Sequence, residues 1–213
     1  MIGVVDYGLG NLGSVLKAFR HVGAPVVLSG DPAELRSADA LVVPGDGAFG
    51  TAMDELRERG LISVVRDAVA ESKPFLGICV GMQLLFEESE EHGRHAGLGL
   101  LRGRVRRFAD DQVVPHMGWN RLASVRQDPL LSGIPEGSHV YFVHSYYCEA
   151  QLEDTVATTT YGVEAAAIGR RSNVVGLQFH PEKSQAVGLR LIANFVDGVR
   201  EDRVAASRAR IHA

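Results

Sequence analysis

Four short segments in the first half of the chain are apolar at nearly every position: "IGVVD" (2–6), "APVVL" (24–28), "ALVVP" (40–44) and "PFLGI" (74–78). Runs this short and rich in β-branched residues are what strands buried on both faces look like. Between them the apolar positions fall at helical spacing, in "NLGSVLKAFRHV" (11–22), "FGTAMDELRERG" (49–60) and "LISVVRDAVAESK" (61–73). Strands alternating with helices predict an α/β fold, a mostly parallel central sheet flanked by helices. After residue 98 the texture changes to a series of strands broken by turns, from "LGLLRGRVRRF" through "QVVPHMGWNRLASV", "HVYFVHSYYCE", "DTVATTTY" and "EAAAIGR" to "VVGLQF". A closing helix, "SQAVGLRLIANFVDGVRE", follows. The expected organisation is one domain over residues 1–200 and a polar, fraying tail over 201–213.

Composition narrows the partners. With 46% hydrophobic and 23% charged residues the chain has the make-up of an ordinary globular protein. A net charge of −4 argues against nucleic acid. The most basic patch, "GRVRRF" (103–108), alternates and reads as a solvated strand face. No apolar stretch is long enough to span a bilayer, and "MIGVVDYG" lacks the basic start of a signal peptide. Two cysteines, Cys79 and Cys148, make no disulfide framework, so a reducing, cytoplasmic setting is expected. Cys148 is expected to be a small buried side chain of a strand.

"GLGNLG" (8–13) matches the glycine fingerprint of dinucleotide-binding folds, with Asp31 near the end of the next strand. The simpler reading is a tight strand-to-helix turn. Asp6, at the end of the first strand, would also oppose a pyrophosphate.

"GICVG" (77–81) carries a sharper signal. It has the form G-x-nucleophile-x-G at a strand-to-helix corner, where the turn lifts the nucleophile clear of the sheet. The segment "VGMQLLFEE" is expected to begin a helix, which places the Cys79 thiol at a helix N-terminus that favours thiolate. The backbone N–H of Val80 is then placed to donate to an oxyanion. Taken alone, the pattern fits equally well a buried strand-end cysteine with packing glycines.

A thiolate that expels an amine needs a proton carrier. Of the eight histidines, His21, His92, His95, His139 and His212 lie in helical or loop stretches and are expected at the surface. His116 and His144 lie among the later strands, as core residues or substrate contacts. His180, in "GLQFHPEKS", ends a strand and precedes Glu182 by two positions, which puts both on one face of an extended chain. A carboxylate there can hold one imidazole nitrogen while the other faces the thiol.

"GICVGMQLLF" with "QFHPEKS" resembles the class I, triad-type glutamine amidotransferase family, whose fold is flavodoxin-like. "VVDYGLGNLGSVLKAF", "LVVPGDGAFGTAM", "PHMGWN" and "YFVHSYY" are similar to the branch of that family that serves imidazole glycerol phosphate synthase in histidine biosynthesis. The resemblance runs from about residue 2 to 198 and takes in "GLGNLG". It implies a glutaminase in which Cys79 attacks the amide of glutamine, His180 moves protons and Glu182 orients His180. Val80 and the "PGDG" strand at Asp46 would form the oxyanion site. Gln83, Ser145, Tyr146 and Ser184 would hold the substrate. Tyr141, Met117 and Trp119 would lie near a partner cyclase subunit, a separate (β/α)8 barrel chain joined as a heterodimer that uses the ammonia. Neither metal nor organic cofactor is implied. The rival readings are a glutaminase of another pathway, such as vitamin B6 synthesis, and a catalytically silent or nucleotide-binding α/β module.

Where the family more often has an apolar residue, "PGDG" has Asp46. A carboxylate about 6 Å from a developing oxyanion would raise its energy by roughly 3 kcal/mol at an effective dielectric of 20. The Asp46 side chain is therefore expected to point away, toward solvent or the partner, with only its backbone serving the site.

Overall fold

The structure is a computed structural model; it describes the backbone of residues 1–211 and the side chains of residues 1–205. The N-terminal half alternates as expected: β1 (Ile2–Val5), α1 (Leu12–His21), β2 (Val26–Ser29), α2 (Pro32–Ser37), β3 (Ala40–Gly45), α3 (Phe49–Glu58), α4 (Leu61–Ala70), β4 (Phe75–Cys79) and α5 (Val80–Gln83). The remaining strands are β5 (Glu88–Ser89), β6 (His95–Ala96), β7 (Gly103–Arg107), β8 (His116–Arg121), β9 (Ala123–Ser124), β10 (His139–His144), β11 (Tyr146–Ala150), β12 (Thr155–Tyr161), β13 (Val163–Arg171) and β14 (Val174–Leu177). Helix α6 (Gln185–Ile211) closes the fold.

The main sheet has the order β2-β1-β3-β4-β14-β13-β12-β9. The strands from β2 to β14 run parallel, and those beyond β14 are antiparallel. Strands β1, β3, β4 and β14 are buried along their whole length, because helices cover both faces. Two smaller sheets, β10-β8 and β11-β7-β5-β6, lie beside the main one. Helix α6 packs on α1 through an edge-to-face pair, Phe19 and Phe195, with ring centroids 6.4 Å apart. Such a pair contributes about 0.5–1.5 kcal/mol beyond its burial. Among the described residues, no helix is long and apolar enough to cross a membrane.

Three local findings differ from the pattern-based reading. Asp31 is the N-cap of α2, a helix absent from that reading: its carboxylate accepts from Ala33 N at 2.8 Å, with Pro32 in the first turn. The helix expected over "VGMQLLFEE" is a single turn. The N–H groups of Leu98, Leu100 and Gly99 take the carbonyls of Leu84, Leu85 and Phe86, so the ladder cannot continue. Finally, residues 201–211, expected as the start of a fraying tail, continue helix α6. Residues 212 and 213, with His212, lie outside the described residues.

Candidate active site

Strands β3 and β4 end side by side, with Gly45 paired to Cys79. Ligands of open α/β sheets bind beyond these C-terminal strand ends. Cys79 has φ +55° and ψ −112°, far from the strand it ends, so the chain reverses at the thiol. Gly81 makes that reversal possible: a Cβ there would sit 1.8 Å from Val43 O. Because α5 is one turn, the feature that can act on the thiol is the set of free N–H groups after Cys79 rather than a long helix dipole.

Strand β14 lies against β4 and delivers His180 to the same end of the sheet. His180 Nδ1 lies 2.8 Å from Glu182 Oε1, and the histidine and the carboxylate are both buried. Burial works against a charge on His180, but the hydrogen bonds to Cys79 and Glu182 outweigh it and raise its pKa to about 10. The imidazole thus holds its proton at neutral pH, between a sulfur and a carboxylate. A cavity of about 300 Å³ opens over Cys79 and His180, lined among others by Val80, Gln83, Glu91, Ser145 and Tyr146.

The residues expected to hold substrate do not all reach this cavity. Gln83 does, and its amide donates to Tyr146 O at 3.0 Å and to Gln178 Oε1 at 3.1 Å. Ser184 does not. It is fully buried behind His180, donating to His180 O at 2.7 Å and accepting from Tyr141 N at 2.9 Å. Its hydroxyl is spent on the backbone that carries His180, which corrects its assignment as a substrate ligand. Tyr141 meets the same segment from β10: its carbonyl accepts from His180 N at 2.9 Å, and Lys183 Nζ lies 5.8 Å from its ring centroid. Met117 and Trp119 stand out from β8 with 63% and 47% of their surface exposed, Trp119 edge-on to Tyr141.

Asp46 is exposed, and its carboxylate is turned to the N-terminal glycine loop, accepting from Gly10 N at 2.9 Å. The "GLGNLG" loop therefore receives a carboxylate of its own chain, while Asn11 caps α1 through Ser14 N. Asp46→Asn keeps an acceptor for Gly10 N, so the glutaminase rate should change by less than about fivefold, or 1 kcal/mol. A rise of roughly a hundredfold in the assay would show instead that the carboxylate opposes the oxyanion.

Three residues without a marked motif also shape the site. Tyr7, buried at the end of β1, donates to Pro44 O at 2.7 Å and braces the "PGDG" strand; burial, then Asp46 and Cys79, raise its pKa. Its place at the C-terminal end of a parallel strand was an available signal. Gln178 is held by two donors on Oε1, Gln83 and the Cys148 thiol at 3.4 Å, which leaves its amide nitrogen facing Cys79 Sγ at 4.0 Å. Its spacing of two from His180 hinted at a shared face. Glu91 accepts from Phe49 N at 2.6 Å, supplying the cap that Ala48 cannot give α3. No local pattern marks it, because the bond spans 42 positions. Among the described residues, no group of three or more His, Cys, Asp or Glu is arranged to hold a metal ion.

A family model, glutamine amidotransferase class-I, matches residues 3–199. The chain belongs to the class-I glutamine amidotransferase family. This amidotransferase is 55% identical, over 92% of its length and 96% of the relative's, to imidazole glycerol phosphate synthase subunit HisH of Geobacillus kaustophilus. It is 49% identical, over 96% of its length and 99% of the relative's, to the protein of that name in Bacillus subtilis. Its fold matches a crystal structure of a glutamine amidotransferase with a TM-score of 0.74 at 24% identity, covering 93% of this chain and 98% of that one. The class I amidotransferase architecture expected from the motifs is the one observed.

Proposed function

We propose that this chain is the glutaminase subunit of imidazole glycerol phosphate synthase. It hydrolyses glutamine to glutamate and ammonia and supplies the ammonia to a cyclase subunit in histidine biosynthesis. The observation that carries this reading is a cysteine at a reversed strand end, sharing one cavity with a histidine whose Nδ1 is held at 2.8 Å by a buried carboxylate.

Each residue has a task in the reaction. The Cys79 sulfur attacks the side-chain amide carbon, and the oxyanion that forms is met by backbone N–H groups of Val80 and of the strand end at Asp46. His180, already protonated, gives its proton to the departing nitrogen as the C–N bond breaks, leaving a glutamyl thioester and ammonia. The neutral imidazole then takes a proton from water, whose oxygen attacks the thioester and releases glutamate and the thiolate. Glu182 stabilises the imidazolium and fixes its tautomer. Gln83, Ser145 and Tyr146 line the substrate wall. Glu91, a buried carboxylate in the same cavity, suits the α-ammonium of an amino acid.

The partner in this reading is a (β/α)8 barrel docked as a heterodimer, in the cytoplasm, on the face that exposes Met117 and Trp119 beside Tyr141. Docking there would take the exposed Met117 and Trp119 side chains out of water. The ring-forming lyase chemistry belongs to that partner.

The test is ammonia release from glutamine with and without the cognate cyclase and its ribonucleotide substrate. The isolated chain should be a poor glutaminase, with its rate raised at least tenfold by the loaded cyclase. Full activity of the chain alone, unchanged by the cyclase, would contradict the coupled role.

A further inference from the structure

Behind the substrate wall lies a row of polar side chains, half-buried at one end and buried at the other, that the mechanism above does not use. Asn120 of β8, His116 of β8 and His144 of β10 are linked in series to the carbonyl of Tyr146. The contacts are Asn120 Nδ2 to His116 Nε2 at 3.2 Å, His116 Nδ1 to His144 Nε2 at 3.0 Å, and His144 Nδ1 to Tyr146 O at 2.8 Å. His116 and His144 are buried, and His144 also borders the glutamine cavity.

The direction of every bond in this row is fixed from both ends. At the inner end, Tyr146 O can only accept, so His144 carries its proton on Nδ1. A neutral His144 then has a bare Nε2, and His116 must donate to it from Nδ1. At the outer end, Asn120 Oδ1 accepts from Arg121 N at 2.8 Å and its nitrogen donates to Thr160 O at 3.0 Å, which sets the amide orientation. Asn120 therefore donates to His116 Nε2, which must be bare, so the His116 proton again falls on Nδ1. A second proton on either ring would set two N–H groups face to face somewhere in the row. Burial, above all, lowers the pKa of His144 to about 3 and lowers that of His116 as well.

We propose that His116 and His144 are positioning residues for glutamine binding, a hydrogen-bonded wire of fixed direction that ties the Ser145–Tyr146 wall to the β8–β10 hairpin. The proposal rests on the glutaminase reading above. Tyr146 O receives two donors, His144 Nδ1 and Gln83 Nε2, so the peptide between Ser145 and Tyr146 has one orientation. Its other end, Asn120, is the neighbour of the exposed Trp119 in β8. His116 is clamped sideways as well, stacked on Tyr161 with ring centroids 4.1 Å apart and on Phe142 at 5.0 Å. The wire therefore runs along the inner face of the hairpin, opposite the face that carries Trp119, and joins it to the wall of the binding site through fully paired groups.

The experiment uses the complex with its cyclase, varying glutamine for the wild type and for His144→Ala, His116→Ala and His116→Asn. Both alanine variants should raise KM for glutamine about tenfold with kcat within about threefold, as expected for lost substrate positioning. Asparagine at position 116 can still donate to His144 Nε2 and should recover most of the KM. An unchanged KM in the alanine variants, or an equal loss in His116→Asn, overturns the proposal. Nitrogen-15 NMR of the wild-type chain decides it independently of variant folding. Both rings should be neutral with the proton on Nδ1 from about pH 6 to 8, and an Nε2-protonated or titrating His144 overturns it. A wild-type complex that hydrolyses no glutamine would sink the glutaminase reading instead, while the NMR signature still decides the wire.

Discussion

Cys79→Ala should abolish glutamine-dependent synthesis by the complex, by at least about a thousandfold, and leave ammonia-dependent synthesis intact. The substitution keeps the Cβ, so the backbone reversal at φ +55° meets the same Cβ as before and the elbow is kept. What disappears is the sulfur, and the cavity holds no substitute. The second cysteine, Cys148, is buried on the far side of Gln178, and burial, then the Cys79 charge, hold its thiol far above the usual range. The ammonia-dependent arm is untouched because Cys79 acts on the amide, upstream of ring formation. The measurement is product formation from glutamine and from ammonium salts in parallel. A variant that still turns over glutamine at near the wild-type rate removes Cys79 as the nucleophile.

His180→Ala should cost nearly as much, within about tenfold of Cys79→Ala, because nucleophile and proton carrier act as a unit. Glu182→Gln should be about a hundredfold milder, since an amide oxygen can still accept from His180 Nδ1 at the observed 2.8 Å. Its signature lies in the pH profile. The raised pKa of His180, about 10, rests on Cys79 and Glu182 together against the opposing effect of burial. Removing the carboxylate lowers it, so the alkaline limb of the rate profile, where the imidazole loses its proton, must move to lower pH. A shift to higher pH, or a Glu182 variant more damaged than the His180 variant, would reverse the two roles.

Much of this architecture is legible in the chain because it is written locally. The parallel strands are apolar at nearly every position since helices cover both of their faces, and the elbow compresses nucleophile, turn and glycines into five residues. What was illegible depends on distant groups. Nothing in "VGMQLLFEE" says that its helix stops after one turn, because residues 98–100 bring the N–H groups that end it. Ser184 has a ligand's chemistry, yet β10 passes close enough to consume its hydroxyl. Asp31 fitted a nucleotide fingerprint by spacing, although the proline after it marks a helix start and the carboxylate caps that helix. Glu91 reaches the cavity because the β5–β6 hairpin folds against α3, a contact without local trace.

The strand order carries a consequence for the chain as it is made. Cys79 ends the fourth strand, but its neighbour in the sheet is the last strand to leave the ribosome, β14. The first half can emerge and begin to collapse with its thiol at the corner and His180 still to come. Such pairings between sequence-distant strands close late, because the loop entropy must be overcome before any contact rewards it. Catalytic competence therefore arrives as one of the final events of folding, and a nascent or truncated chain cannot release ammonia before the enzyme that consumes it has a finished surface to grasp.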